Sequence, residues 1–75
     1  MTNPKVSIII ANRNDTVMLS ITVRSALEAL KALKFPGDVI IVDNSDSAIY
    51  EKIFSFIPAR YVSDGKVKIY RQDFP

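Results

Sequence analysis

Two short apolar runs, each released into a loop of Asn, Asp and Ser, constrain this chain more than any other feature. Residues 6–11 (Val6-Ser7-Ile8-Ile9-Ile10-Ala11) and 38–42 (Asp38-Val39-Ile40-Ile41-Val42) are β-branched and almost continuous in hydrophobicity. Runs of this length are strands, and continuity in place of alternation predicts burial on both faces. The first is followed by Asn12-Arg13-Asn14-Asp15-Thr16 and the second by Asp43-Asn44-Ser45-Asp46-Ser47. Such residues cap helices, because their side-chain oxygens accept from the first free N–H groups.

Helical spacing follows each loop. Leu19, Val23, Ala26, Leu27, Leu30 and Leu33 form one apolar stripe through about residue 34, with Arg24, Glu28 and Lys31 off it. Phe35-Pro36-Gly37 stops that helix, and Lys31 and Lys34 suit the negative end of its dipole. A second helix carries Ile49, Ile53 and Phe56, and Pro58 breaks or restarts it. After the turn Ser63-Asp64-Gly65, residues 67–70 alternate, with Val67 and Ile69 on one face and Lys68 and Tyr70 on the other. Alternation there predicts an edge strand with one half-exposed face.

The order β-α-β-α-β implies an α/β fold with a three-stranded parallel sheet, because parallel neighbours need crossover connections. Right-handed crossovers in order 3-2-1 put both helices on one face and leave the other bare. That order also makes strand 1 an unpaired edge, against the interior character of its sequence. Order 2-1-3 gives each face one helix and covers neither. We expect order 3-2-1, and a chain that is half a domain: residues 1–75 as one partial domain, completed by further sequence or by another copy.

Composition narrows the chemistry. Seventy-five residues hold one small domain, whose own core is marginal because a chain this short buries only about 60% of its unfolded surface. With no Cys and no His, disulfides, thiolate metal sites and imidazole general bases are excluded. Ten Lys and Arg against eight Asp and Glu leave an excess too small to indicate nucleic acid. No apolar run approaches the roughly 18–20 residues that span a bilayer, so the expectation is a cytoplasmic location with no membrane span. Neither Gly37 nor Gly65 opens a helix after strand 1, which excludes a dinucleotide-binding glycine motif and a P-loop.

In open α/β sheets, ligands bind beyond the carboxyl ends of the strands. Those ends are residues 11–16, residues 43–47 and Arg71-Gln72-Asp73. Asp43 can accept from a ribose hydroxyl or base N–H there, or close an Asx-turn on its own backbone. Arg13 can pair with a phosphate or stack on a base, or remain a solvated cation. Asn12 and Asn14 fit loop-shaping roles, Asp46 and Ser47 helix caps, and Lys66, Lys68 and Arg71 a solvated edge.

Val6-Ser7-Ile8-Ile9-Ile10 followed by Asn14, then Arg24-Ser25-Ala26-Leu27, then Val39-Ile40-Ile41-Val42-Asp43-Asn44-Ser45, resembles the N-terminus of inverting family 2 glycosyltransferases. The likeness runs over nearly the whole chain. It implies the N-terminal half of a GT-A fold, a Rossmann-like arrangement for transfer of sugar from a nucleotide diphosphate-sugar to an acceptor hydroxyl. It also implies that Asp43 contacts the base and that Ala11, Asn12, Arg13 and Asn14 line the nucleoside. Where many members have Pro or Thr, a small hydroxyl residue and Tyr, this chain has Ala11, Asn12 and Arg13, so Arg13 takes the place of a stacking Tyr.

The family's Asp-x-Asp metal motif follows a fourth strand, and its catalytic carboxylate comes later. Asp43-Asn44-Ser45-Asp46, at strand 2, is not that motif. The chain alone is therefore expected to be inactive and to hold no cofactor, with Mg or Mn belonging to a longer parent. The competing expectation is a non-catalytic α/β interaction module that associates through its uncovered sheet face, as a homo-oligomer or with a partner. The first reading needs Asp43 and Arg13 open to a crevice, whereas the second leaves them locally bonded.

Overall fold

The computed structural model describes residues 5–34 and 36–72. Strand β1 (Val6–Asn12) leads into helix α1 (Thr16–Leu33), strand β2 (Gly37–Asp43), helices α2 (Ser47–Phe56) and α3 (Ala59–Ser63), and strand β3 (Val67–Arg71). The sheet is parallel throughout, in spatial order β1-β2-β3, which is 3-2-1 read from the other edge. Pro58 separates α2 from α3, since it has no N–H to give to a continuing helix.

Residue alternation assigns the faces. Val39 and Ile41 of β2, Val67 of β3, Leu19, Val23, Ala26 and Leu30 of α1, Ile53 of α2 and Ile57 after it make one buried core. Val6, Ile8, Ile10 and Ile69 pack against it from the two outer strands. Both helical segments thus lie on the same face, as the 3-2-1 order requires. The opposite face carries Ser7, Ile9 and Ala11, then Asp38, Ile40 and Val42, then Lys68 and Tyr70, aligned by the strand register.

One expectation is corrected here. β1 is not an interior strand buried on both faces. It lies at an edge, alternates half-buried with exposed residues, and leaves Ile9 68% exposed. Its unbroken apolar run arises because even the residues pointing off the core are aliphatic. The continuous reading holds better for central β2, where Val39 and Ile41 are buried and Ile40 and Val42 half-buried.

The helix signals of α1 act as their chemistry dictates, whereas Asp46, expected to cap the second helix, stands at the N-cap of α2 without a side-chain cap hydrogen bond. Asp15 caps α1 by accepting from the Met18 N–H at 2.9 Å. α1 ends at Lys34 in the left-handed conformation, φ 58°, with its N–H on the Lys31 carbonyl. Leu33 and Phe56, both placed on apolar stripes by spacing, are exposed. Leu33 falls on the flank of α1 turned away from α2, where no other described element covers it. Phe35, expected at the helix stop, lies outside the described residues, while Pro36 and Gly37 carry the chain into β2.

Among the described residues, the open face contains one charge cluster. Asp38 is buried, accepts from the Ser7 hydroxyl at 2.5 Å, and pairs with Lys5 at 3.1 Å and Lys68 at 3.2 Å. The Ser7 hydrogen bond foremost, with help from Lys5 and Lys68, holds the carboxyl down at about 2 although burial pushes it up. These side chains join all three strands near their amino ends, far from the loops at the carboxyl ends.

Candidate functional site at the carboxyl ends of the strands

Asp43 is the last residue of β2 and points to the helical side, beside its register partner Asn12. It is completely buried. Its Oδ1 accepts from Asn12 Nδ2 at 3.0 Å and from the Ser45 hydroxyl at 2.7 Å, and Oδ2 accepts from the Ser45 N–H at 3.1 Å. The side chain closes an Asx-turn that steers the chain from β2 toward α2. It simultaneously fixes the end of β1.

Asn14 completes this scaffold. It has a left-handed backbone, φ 54°, a conformation that Asn tolerates better than most residues. Its N–H donates to the Ser45 hydroxyl oxygen at 2.7 Å, and its Oδ1 accepts from the Asp46 N–H at 2.9 Å. The loop after β1 and the loop after β2 are therefore one hydrogen-bonded unit, with Ser45 at its centre.

Above the scaffold lies an open crevice of about 230 Å³, lined by Arg13, Asn44, Ser45, Asp46, Ser47, Arg71 and Gln72. Arg13 donates to Asn44 Oδ1 at 2.7 Å, and Asn44 Nδ2 donates to the Gln72 carbonyl at 3.1 Å. Arg71 closes the far side, donating to the Ser47 hydroxyl at 3.0 Å with its guanidinium 4.8 Å from the Tyr50 ring centroid. Two guanidinium groups thus face the start of α2, whose first N–H groups and dipole add positive potential. The volume is below the roughly 300–1,000 Å³ of a complete small-molecule pocket, and matches part of one.

Of the five residues singled out from the sequence, Arg13 alone lines the crevice. Asn12, Asn14 and Asp43 form the bonded layer beneath it, and Ala11 lies on the open sheet face. Sequence reasoning reads Ser47 as a helix cap and Arg71 as a solvated edge residue and does not single out Asn44 and Gln72, although all four line the crevice. The signal for Arg71 is in the alternation of β3, which puts it on the face opposite Lys68 and Tyr70. The parallel register then sets it beside Asp43.

Two larger hollows, of about 360 and 370 Å³, run along α1. One separates α1 from α2 and α3, and the other lies near Gly37 and Lys66 at the amino ends of the strands. Neither combines several strand ends with a helix start, the arrangement by which an α/β sheet gathers polar groups on a ligand. Among the described residues, no group of three or more His, Cys, Asp or Glu is placed to hold a metal ion. Among the described residues at the strand ends, the Asp43 carboxylate accepts from Asn12 and Ser45, and Asp46 Oδ2 accepts from Asn14 Nδ2 at 3.5 Å. No described helix is long and apolar enough to cross a membrane. No protein-family model, curated protein or solved structure matches the chain.

Proposed function

We propose that this chain is the nucleotide-binding portion of a GT-A glycosyltransferase, which takes a sugar from a nucleotide diphosphate-sugar. The observation that carries the reading is the Arg13–Asn44–Arg71 crevice at the carboxyl ends of the strands. It supports the family resemblance of the strand 1 and strand 2 sequences by offering cationic and amide groups where an α/β sheet binds nucleotides. Asp43 is buried and bonded to Asn12 and Ser45 and is not open to the crevice, against the expectation that it contacts the base, so in this reading it is a positioning residue that sets the loop carrying Asn44. Arg13, exposed and donating to Asn44, is the group open to a base or phosphate. The diphosphate-anchoring metal of such a transferase has no ligand set among the described residues, so the binding proposed for this chain is that of the nucleoside side.

A second reading, an interaction module, has its own observation: Ile9 and Tyr70 are 68% and 56% exposed on the bare sheet face. The two are separated by titrating labelled protein with uridine diphosphate, guanosine diphosphate and inorganic diphosphate while following backbone amide resonances. The glycosyltransferase reading expects nucleotide-dependent shifts at Arg13, Asn44, Ser47, Arg71 and Gln72, with dissociation constants around 1 mM, equivalent to about 4 kcal/mol. Arg13→Ala should weaken them. Absence of any shift at these residues with both nucleotides overturns the proposal.

A further inference from the structure

Arg71 reaches the crevice from β3 but takes support from α2. Its guanidinium lies 4.8 Å from the centroid of the Tyr50 ring. Arg71 Nη2 also donates to the Ser47 hydroxyl at 3.0 Å, across 24 positions of sequence. Ser47 and Tyr50 stand at i and i+3 in α2 and so share a face of that helix. Phe54, one further turn along, continues this face and packs edge-to-face with Tyr50, the ring centroids 5.4 Å apart and the planes at 86°. Tyr50 is itself packed against the core. Ser47, Tyr50 and Phe54 are thus a ridge on α2, and the guanidinium rests on two of its members.

A second contact of this type shows what is distinctive here. Arg60 lies over the Tyr61 ring, also at 4.8 Å, and donates to its hydroxyl at 3.0 Å. Those two are neighbours in the chain, so their proximity needs no tertiary structure. Arg71 and Tyr50 come from a strand end and a helix, and only the fold brings them together. An exposed Arg samples many rotamers, and ordering it on a ligand costs affinity. A group already held in its bound direction escapes that cost. Stacking engages the face of a guanidinium, whereas its N–H donors lie in the plane. A ring can therefore fix the direction of the group without consuming the donors that a ligand uses.

We propose that Tyr50, backed by Phe54, is a positioning residue for nucleotide recognition, its ring holding the Arg71 guanidinium toward the crevice while Ser47 sets the rotation in the plane. The inference rests on the nucleotide-binding reading above. It adds to that reading a helix residue that does not line the crevice yet governs its affinity.

The test is a titration of labelled protein with uridine diphosphate and guanosine diphosphate, following the backbone amides and the Arg71 Nε–H resonance in wild type, Tyr50→Leu and Tyr50→Phe. In the unliganded wild type, the ring current of Tyr50 should move the Arg71 Nε–H signal upfield of its position in the urea-unfolded chain. Tyr50→Phe, which keeps the ring face, should keep that displacement and hold the affinity within about twofold. Tyr50→Leu should lose the displacement and weaken nucleotide binding by about threefold or more. In an Arg71→Ala background, Tyr50→Leu should add no further loss, because the ring acts through the guanidinium. If neither nucleotide shifts the crevice amides of the wild type, the nucleotide-binding reading fails and this inference with it. If the wild type binds and Tyr50→Leu binds equally well, the reading stands and the positioning role is overturned. Equal weakening by Tyr50→Phe and Tyr50→Leu also overturns it, since the ring is then not what acts. Should Tyr50→Leu fail to fold, the unaltered chain still decides: an Arg71 Nε–H signal without upfield displacement overturns the proposal.

Discussion

Asn12 and Asp43 are register partners at the ends of β1 and β2, and the Asn12 Nδ2 donates to the Asp43 carboxylate at 3.0 Å. Through Ser45 the same carboxylate also governs the turn into α2. A single buried side chain thereby locks two strand ends and two loops into one shape, and the crevice above inherits that shape.

Asp43→Ala should consequently act on stability before it acts on any ligand. It leaves the Ser45 N–H and hydroxyl without their acceptor in a buried setting, at a cost of about 1–3 kcal/mol for each donor left unsatisfied. Urea unfolding followed by circular dichroism should show a clear fall in midpoint. A midpoint equal to the wild type would show that the carboxylate does not hold the loops.

The one-sided sheet predicts a contrast between adjacent residues. Ile41 is fully buried under the helices, whereas Ile40 is half-buried on the open face. Ile41→Ala should cost about 2–5 kcal/mol, the range for a buried aliphatic cut to Ala, and Ile40→Ala clearly less. Equal losses in chemical denaturation would mean that both faces are covered.

Gly37 sits where β2 starts beneath α1. A Cβ built there would lie 2.7 Å from Leu30 Cδ2 and 2.7 Å from the Val6 carbonyl oxygen. Leu30 has side-chain freedom, but the Val6 carbonyl belongs to the paired strand and cannot yield without disturbing the sheet. Gly37→Ala should therefore destabilise by about 1–3 kcal/mol, as overpacking does. Thermal unfolding of the variant is the check.

Acid should expose the role of Asp38. Its folded carboxyl titrates at about 2 against an ordinary 3.8, because the Ser7 hydroxyl and the two lysines favour the charged form. The folded state then binds fewer protons than the unfolded chain, so this contribution is full above the ordinary value and is lost as pH falls through about 2. Comparing urea midpoints of wild type and Asp38→Asn, the gap present near neutral pH should shrink as pH falls below the ordinary carboxylate value toward about 2. A gap that does not change with pH would remove the carboxylate's charge as its cause.

Periodicity and chain order were enough to read the β-α-β-α-β succession, the parallel sheet, its 3-2-1 order and the edge character of β3. Those features depend on which residues repeat, at what spacing, and on the handedness of crossovers, all of which are local or combinatorial properties. The position of β1 was legible only by topology, since Ile9 looks interior in sequence and is held at the exposed edge by strand order. The site divided in the same way. Residue type picked out the polar loops at the strand ends, and Arg13 among them. Only tertiary structure decided that Asp43 is sealed beneath Asn12 and Ser45 while Asn44 and Arg71 face outward. Alternation and register across three strands separate in space what is adjacent in the chain, and bring Arg13 to Asn44, 31 residues away.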